Sequence, residues 1–234
     1  MTTTSPSTAL ITGGSSGLGL ALARLLDDAG WIVVTDARDE TRLRTALSGT
    51  TIHGIPGDVA DAEHRAALVE LIDGLGGLDL LVLNSSTLGP LPMRPLAQYD
   101  PLDFGEVFRA NAGAPGSLMV ALTPQLLARN GVVIGISSDA AVQHYETWGG
   151  YGAAKAALDH LVLTFGAETG LSTYAVDPGD MRTPMHQAAF PGEDISDRPL
   201  PEVVAPRLLE LFARRPESGR YLAESFAVSE VASA

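Results

Sequence analysis

Short apolar runs alternate with segments of helical periodicity along the whole chain, and this alternation limits the fold more than any other feature. The apolar runs predict strands at 9–11, 31–35, 51–55, 78–83, 132–136, 171–176 and 220–222. Apolar residues at helical spacing predict helices at 18–26, 61–73, 103–129, 151–166 and 201–213. Such alternation is typical of a parallel sheet covered by helices on both faces. We therefore predict one doubly wound α/β domain with a mostly parallel, seven-stranded sheet.

Composition agrees with one folded domain and excludes several classes of function. The 234 residues are 45% hydrophobic, which is enough for a large core. With 15 basic and 28 acidic residues, the net charge of −13 disfavours nucleic acid or an anionic membrane as a partner. The absence of cysteine excludes disulfides, thiolate catalysis and cysteine-bound metals. His144 and His186 lack a third ligand at suitable spacing, so we predict no metal site.

The ends of the chain and one internal segment depart from the periodic pattern. Residues 1–7 are predicted to be disordered, and residues 223–234 form a tail of mostly small and polar residues. Residues 184–200 are rich in Pro, Gly and Asp, which favours a mobile substrate lid. Residues 1–8 lack the basic and apolar regions of a signal peptide, and no stretch is long and apolar enough to span a membrane. We expect a single domain over 1–234 in a cytoplasmic protein.

A glycine-rich turn joins the first predicted strand to the first helix. Glycines let a backbone approach a pyrophosphate closely, and the amides and positive end of the next helix offset its charge. The strand before the turn and the helix after it favour a dinucleotide site over a purely structural turn. The candidate cofactor residues here are Thr12, Gly13, Ser15, Ser16, Gly17, Leu18 and Gly19.

The ends of the next two strands carry residues suited to the adenosine half of a dinucleotide. A carboxylate such as Asp36 accepts from the ribose hydroxyls of NAD, whereas a guanidinium such as Arg38 pairs with the 2′-phosphate of NADP. Both are present, so both cofactors stay open at this point. Asp58 and Val59 lie in a turn that can face an adenine edge, although Asp58 also suits the N-terminal cap of the following helix.

Ser138, Tyr151 and Lys155 form a third candidate group. Ser138 follows an apolar strand, and Tyr151 and Lys155 are one helical turn apart on the same face. A nearby cation stabilises a phenolate, so we expect Lys155 to lower the pKa of Tyr151. Asn84 follows the fourth strand, where a small polar residue suits close passage of a cofactor. Asn111 falls inside the long predicted helix, although asparagine is a mediocre helix former.

Together these motifs resemble the short-chain dehydrogenase/reductase family over residues 9–222. The family's glycine motif matches Thr12, Gly13, Gly17 and Gly19, its Asp-Val pair matches Asp58 and Val59, and its catalytic tetrad matches Asn111, Ser138, Tyr151 and Lys155. Its element after the sixth strand matches Pro178, Gly179 and Thr183, with Met181 between them. The family's Asn-Asn-Ala-Gly turn reads Leu83, Asn84, Ser85 and Ser86 here, so only Asn84 is kept. The resemblance implies a Rossmann-type domain.

The resemblance also implies a reaction and a cofactor. It implies an NAD(P)(H)-dependent oxidoreductase that interconverts a carbonyl compound and a secondary alcohol, in which Tyr151 exchanges the proton, Ser138 positions the oxygen and Lys155 holds the nicotinamide ribose. Asn111 would hold a water that links Lys155 to solvent. Arg38 falls where NADP-dependent members carry a basic residue, and Ala37 where NAD-dependent members carry an acid, which favours NADP over NAD.

Two other functions remain open, and the substrate is defined only by its candidate pocket. A non-catalytic NAD(P)-binding sensor or scaffold is the alternative, and an epimerase or dehydratase ranks third because related enzymes have a larger C-terminal region. The candidate substrate residues are Gln143, His144, Tyr145, Trp148 and Met185, beside Leu88, Leu91, Met181, His186 and Phe190. The family resemblance further implies a homodimer or homotetramer that meets through the helices containing Asn111 and following Tyr151.

Overall fold

The computed structural model describes residues 6–226, and its centre is one parallel sheet. The strands are β1 (Thr8–Ile11), β2 (Ile32–Ala37), β3 (His53–Pro56), β4 (Leu80–Leu83), β5 (Val132–Ile136), β6 (Ser172–Asp177) and β7 (Gly219–Leu222). Their order is β3-β2-β1-β4-β5-β6-β7, and every neighbouring pair is parallel. The predicted seven-stranded α/β fold is therefore confirmed.

Helices cover both faces of this sheet. They are α1 (Gly17–Asp28), α2 (Glu40–Ala46), α3 (Ala62–Gly74), α4 (Pro101–Phe108), α5 (Ala114–Ala121), α6 (Thr123–Arg129), α7 (Gly149–Thr169), α8 (Pro184–Ala189) and α9 (Pro201–Arg214). Successive strand residues point to opposite faces. Ile11 accordingly packs in a core with α1 and α9, whereas Leu10 packs in a second core with α3, α5 and α7. Burial on both faces explains why the strands are uniformly apolar rather than alternating.

The predicted helix at 103–129 is present, but it is not uniform: it widens by one π-type turn and is interrupted once, at Leu122. After α4, residues Arg109–Gly113 form one wider π-type turn, and α5 and α6 follow it. Pro115 has no N–H to donate to the carbonyl of Asn111, four residues earlier, so the regular ladder is interrupted there. Pro124 has the same effect at the start of α6. Asn111 therefore lies in an irregular turn whose geometry differs from that of a uniform helix.

Local capping differs from the sequence prediction in two places. The carboxylate of Asp61 caps α3 by accepting from the Glu63 N–H, so the predicted cap at Asp58 is wrong. Asp58 instead accepts from the Ala60 N–H at 2.9 Å within the preceding turn. The 184–200 segment contains α8, which Thr183 caps by accepting from the backbone N–H of His186 at 3.1 Å.

The described residues reach close to both ends of the chain. The carbonyl of Ser7 accepts from the Ile32 N–H at 2.9 Å. Ordered pairing therefore begins inside segment 1–7, which was predicted to be disordered. Residues 1–5 of that segment lie outside the described residues. Ala223–Ser225 form a short turn, and Phe226 packs into the core beside α9; the remaining predicted tail, 227–234, also lies outside them. Across residues 6–226 no helix is both long enough and apolar enough to cross a membrane.

Candidate functional site

One large cleft, with a volume of about 1110 Å³, opens at the carboxyl ends of the strands. Sheet order changes direction between β1 and β4, and parallel α/β sheets bind ligands at such a point. The predicted cofactor residues that line the cleft are Gly13, Ser15, Ser16, Gly17, Leu18, Asp36, Arg38, Asp58, Val59, Asn84, Tyr151, Lys155, Pro178, Gly179, Met181 and Thr183. Thr12 and Gly19 lie beneath it. The structure thus brings residues from across the chain to one place.

The glycine turn leaves room for a ligand directly above its backbone. Gly13 and Gly17 have φ angles of 77° and 58°, which side-chain-bearing residues rarely adopt. A Cβ at Gly17 would find only Thr183 nearby, at 3.5 Å, so the space over this amide is open to the cleft. A Cβ at Gly19 would instead come within 2.5 Å of the Asn84 amide nitrogen. These glycines build an open backbone cradle of the kind that accepts a pyrophosphate.

Thr12 and Asn84 join the glycine turn to the turn after β4. The Thr12 hydroxyl accepts from the backbone N–H groups of Asn84 and Ser85, both at 3.0 Å. The Asn84 side chain donates to the Thr12 carbonyl at 2.8 Å. Thr12 therefore shapes the floor of the cleft from below.

Asp36 lies at the edge of the cleft but is only 2% exposed. One carboxylate oxygen accepts from the Gly13 N–H at 2.8 Å, and the other lies 3.0 Å from Nε2 of His64 on α3. Both oxygens are thus engaged with the protein. By contrast, Arg38 is exposed at the rim of the cleft, and so is Arg42 in the first turn of α2. Sequence reasoning missed Arg42, although its basic character four residues after Arg38 was a usable signal.

Tyr151 and Lys155 lie on one face of α7, one turn apart, as the sequence spacing predicts. Both are buried, with exposures of 7% and 1%. The Lys155 ammonium donates to the carbonyl of Ile136 at 2.8 Å and lies 5.6 Å from the Tyr151 ring centre. Ser138 lines the same cleft just after β5. A phenol, an ammonium and a hydroxyl therefore share one site.

Burial dominates the protonation of this pair. It raises the pKa of Tyr151 to about 12, although hydrogen bonding with Ser138 and Ser86 lowers that pKa in part. Burial also lowers the pKa of Lys155 to about 8, against the opposing charge of Asp159. The predicted lowering of this pKa by Lys155 is not seen: loss of solvation raises the pKa of Tyr151, and the groups that lower it are the two serine hydroxyls. At neutral pH Tyr151 is a phenol with a proton to give.

Asn111 is buried and holds the turn that follows β4. Its side-chain oxygen accepts from the Ser86 hydroxyl at 3.1 Å and from the Thr87 N–H at 2.8 Å, while its amide donates to the Thr87 carbonyl at 2.8 Å. Ser86 lines the cleft and helps to lower the pKa of Tyr151, so sequence reasoning missed a hydroxyl in the site. The sequence did offer a clue to this hydroxyl, because Ser86 stands where the family's Asn-Asn-Ala-Gly turn has its glycine.

The predicted substrate residues divide into two groups. Trp148 and Met185 line the cleft, and the Trp148 ring packs edge-on against Tyr151 with centroids 5.5 Å apart. Gln143, His144 and Tyr145 are exposed and lie outside its lining, so their contact with substrate stays a prediction. Tyr145 is connected to Ser138 through Asp139. The Tyr145 hydroxyl donates to one Asp139 oxygen at 2.8 Å, and the other oxygen accepts from the Ser138 hydroxyl at 2.9 Å. Asp139 itself lines the cleft and was missed.

The rest of the described chain adds no metal centre to this site. Within residues 6–226 no three His, Cys, Asp or Glu side chains are grouped so as to hold a metal ion.

Comparison with known proteins finds sequence similarity to one enzyme family. A family model described as "short chain dehydrogenase" matches residues 7–194. Serine 3-dehydrogenase of Rhizobium radiobacter is 35% identical over 189 residues, which are 75% of this chain and 72% of that protein. Senescence-associated protein 13 of Arabidopsis thaliana is 33% identical over 197 residues, or 80% of this chain and 72% of that one.

Solved structures agree over nearly the whole chain. A short chain dehydrogenase of Shigella flexneri, complexed with NADP, has a TM-score of 0.86 at 27% identity and covers 93% of this chain and 97% of its own. A short chain dehydrogenase of Escherichia coli, complexed with NADPH, has a TM-score of 0.86 at 28% identity, with coverages of 93% and 96%.

Proposed function

The chain belongs to the short chain dehydrogenase family, and we propose from this membership that it is an NADP(H)-dependent oxidoreductase interconverting a carbonyl compound and a secondary alcohol. One observation carries the proposal. Ser138, Tyr151 and Lys155 meet in the same cleft as the open glycine turn at Gly17. Proton exchange at the substrate oxygen and cofactor binding would therefore occur side by side, which hydride transfer requires.

NADP is favoured over NAD by the arrangement at the end of β2. Each oxygen of Asp36 is already engaged, one with the Gly13 N–H and the other with His64, which makes Asp36 a less favourable partner for ribose hydroxyls. Arg38 and Arg42 bring two exposed guanidinium groups to the same rim, where a 2′-phosphate would be paired. Two structurally similar proteins are complexed with NADP or NADPH. The bound cofactor would supply or accept the hydride.

The side chains around the substrate oxygen have separable roles. Tyr151, which keeps its proton at neutral pH, would donate it to the carbonyl oxygen during reduction. Ser138 would turn its hydroxyl from Asp139 to that oxygen and fix its position. Lys155 would place a positive charge near the phenolate as it forms, because its ammonium is already anchored on the Ile136 carbonyl.

Asn111 would support proton return from solvent. Its side chain is committed to the turn at Ser86 and Thr87, so the side chain itself holds that turn. Its backbone carbonyl receives no N–H from Pro115. This carbonyl would therefore accept a hydrogen bond from a water that lies between Lys155 and solvent.

The substrate that best suits the cleft is a medium-sized and partly apolar carbonyl compound. Trp148, Met185 and Leu88 give one side an apolar wall, while Ser138 and Asp139 give a polar end. The similarity to serine 3-dehydrogenase makes a small hydroxy amino acid a second substrate class to include in any assay.

Steady-state turnover tests the proposal. Purified protein is assayed for NADPH oxidation with benzaldehyde, acetophenone and cyclohexanone, and for NADP⁺ reduction with the matching alcohols and L-serine. We expect turnover of at least one compound, faster with the phosphorylated cofactor. Tight NADPH binding without turnover of any compound would overturn the enzyme and favour the sensor.

Two further properties extend the proposal to the whole molecule. We propose a homodimer or homotetramer that meets through α4 and α7, because Gly105, Phe108, Ala112, Ala157 and Leu161 line a shallow apolar groove between these helices. Light scattering on the purified protein and on Leu161→Glu would check this, since a buried charge at the groove should release monomers. The cytoplasmic location stays a prediction, which cell fractionation would check.

A further inference from the structure

Four charged side chains form a compact cluster that extends from the wall of the cleft, at Lys155 and Asp177, to Asp159 and Arg220 behind it. Lys155 and Asp159 come from α7, Asp177 ends β6, and Arg220 comes from β7. Arg220 lies 3.3 Å from Asp159 and 3.4 Å from Asp177, and the two carboxylates are about one-tenth exposed, at 10% and 8%. The cluster holds two positive and two negative groups. Buried charges persist when they are paired in this way.

The cluster holds three consecutive residues at the end of β5, each by a different charged group. Lys155 donates to the carbonyl of Ile136 at 2.8 Å. Asp159 accepts from the hydroxyl of Ser137 at 2.8 Å. Arg220 donates to the carbonyl of Ser138 at 2.8 Å. The backbone that carries the Ser138 hydroxyl is therefore fixed by the contact with Arg220.

We infer that Arg220 is a positioning residue, which orients Ser138 toward the substrate oxygen from behind the cleft. The inference rests on the proposed function, in which the Ser138 hydroxyl binds that oxygen. Arg220 also contacts Asp177, whose other oxygen accepts from the Gly179 N–H at 3.0 Å. A single guanidinium thus ties the serine to the Pro178–Gly179 turn on the cofactor side of the cleft.

The acceptors of Arg220 argue against a role confined to attaching β7. Backbone pairing already joins β7 to β6 along four residue pairs, from Tyr174 with Gly219 to Asp177 with Leu222. The side-chain bonds of Arg220 go instead to the ends of β5 and β6 and to α7, all of which contribute residues to the cleft. A planar guanidinium presents its donors to these acceptors in a rigid fork, whereas the three donors of an ammonium rotate on a flexible stem.

The first test replaces Arg220 with lysine, which keeps the charge but not the planar fork. Arg214→Lys is the matched control, because Arg214 makes a single exposed ion pair with Glu210 on α9. We expect Arg220→Lys to lower kcat roughly tenfold to a hundredfold through a misplaced hydroxyl, with KM for the carbonyl compound nearly unchanged. Arg214→Lys should leave both constants as they are. Wild-type kcat in folded Arg220→Lys would overturn the inference.

The second test is a double-mutant cycle with Ser138→Ala. If Arg220 acts through Ser138, Arg220→Lys should cost little further kcat once the hydroxyl is gone, since the two losses are then not additive. An equal fold-loss in both backgrounds would assign Arg220 a general structural role and overturn the inference. Circular dichroism melting of all four proteins checks folding. Wild-type protein without any turnover would overturn the proposed function and this inference together, whereas an active wild type isolates the role of Arg220.

Discussion

Asp36 accepts the backbone N–H of Gly13 at 2.8 Å, which ties the end of β2 to the start of the glycine turn. The carboxylate that sequence reasoning offered to the ribose of NAD is thus an internal support of the glycine turn. His64 engages its second oxygen from α3. Arg38 is the basic residue of that strand end that lines the cleft, so substitutions at Asp36 and Arg38 should have separable effects.

Arg38→Ala is expected to weaken NADPH binding roughly tenfold to a hundredfold, since a charge-assisted contact contributes about 1.5–3 kcal/mol. NADH binding should change little, because that cofactor has no 2′-phosphate. Titration of cofactor fluorescence at fixed ionic strength measures both dissociation constants. Arg44→Ala on α2 is the control, as Arg44 pairs with Glu40 in solvent. Equal weakening of both cofactors would refute the assigned role.

Asp36→Asn should weaken NADPH and NADH to a similar degree, because it loosens the glycine turn that both would use. The expected loss is roughly tenfold, as for exchange of a charged for a neutral acceptor. The ratio of the two dissociation constants is the measurement that decides. A loss confined to NADH would make Asp36 the ribose contact after all.

Tyr151→Phe should reduce turnover by roughly a hundredfold to ten-thousandfold while cofactor affinity stays constant, since the ring remains and only the proton donor is lost. Tyr174→Phe supplies the control. Tyr174 is also buried, but its hydroxyl donates to the Pro216 carbonyl at 2.9 Å. Neither Tyr174 nor Pro216 lines the cleft. Comparable turnover in the two variants would exclude Tyr151 as the proton donor.

Lys155 should make stability depend on pH in a defined window. Burial lowers its pKa from 10.5 to about 8 in the folded protein. Between these values the unfolded chain binds a proton that the folded protein does not, so the free energy of unfolding rises with pH. Lys155→Met should remove this rise, which is at most about 1.4 kcal/mol per pH unit for one proton.

Urea unfolding of both proteins between pH 8 and pH 10 measures the difference, within the window set by the lowered pKa. The upper limit matters because burial raises the pKa of Tyr151 from 10.0 to about 12. Above pH 10 the unfolded chain loses that proton first, so Tyr151 makes the free energy of unfolding fall as pH rises. Parallel curves below pH 10 would mean that Lys155 is not desolvated in solution.

The sheet and the motifs at its carboxyl edge were predictable because each depends on local pattern. Buried strands such as 132–136 are continuous apolar runs, and the spacing of Tyr151 and Lys155 fixes their shared helix face. The π-type turn between α4 and α5 was not predicted, since periodicity continues through Asn111 even though Pro115 interrupts the ladder. Helical periodicity records which face is buried and is insensitive to one missing backbone hydrogen bond.

Prediction also failed where long-range contacts decide chemistry. The pKa of Tyr151 depends on how deeply α7 is packed, which spacing within the helix does not encode. The contacts of Asp36 with Gly13 and His64 were not predicted, because both partners are distant in the sequence. Gln143 and His144 lie in the right loop but outside the cleft lining. Loop residues near a site are easily named from sequence, whereas the direction of each side chain depends on the turn.

Strand β7 is the outermost strand beyond β6 in the sheet order, and among the described strands it pairs with β6 alone. Edge strands fray before central ones, so their amide protons exchange at lower free energies of local opening. Each such opening would draw Arg220 away from Ser138 while the central strands remain intact. The time for which Ser138 stays in position would then be set by the opening of β7. A ligand in the cleft would accordingly slow amide exchange in β7, a strand that it does not touch.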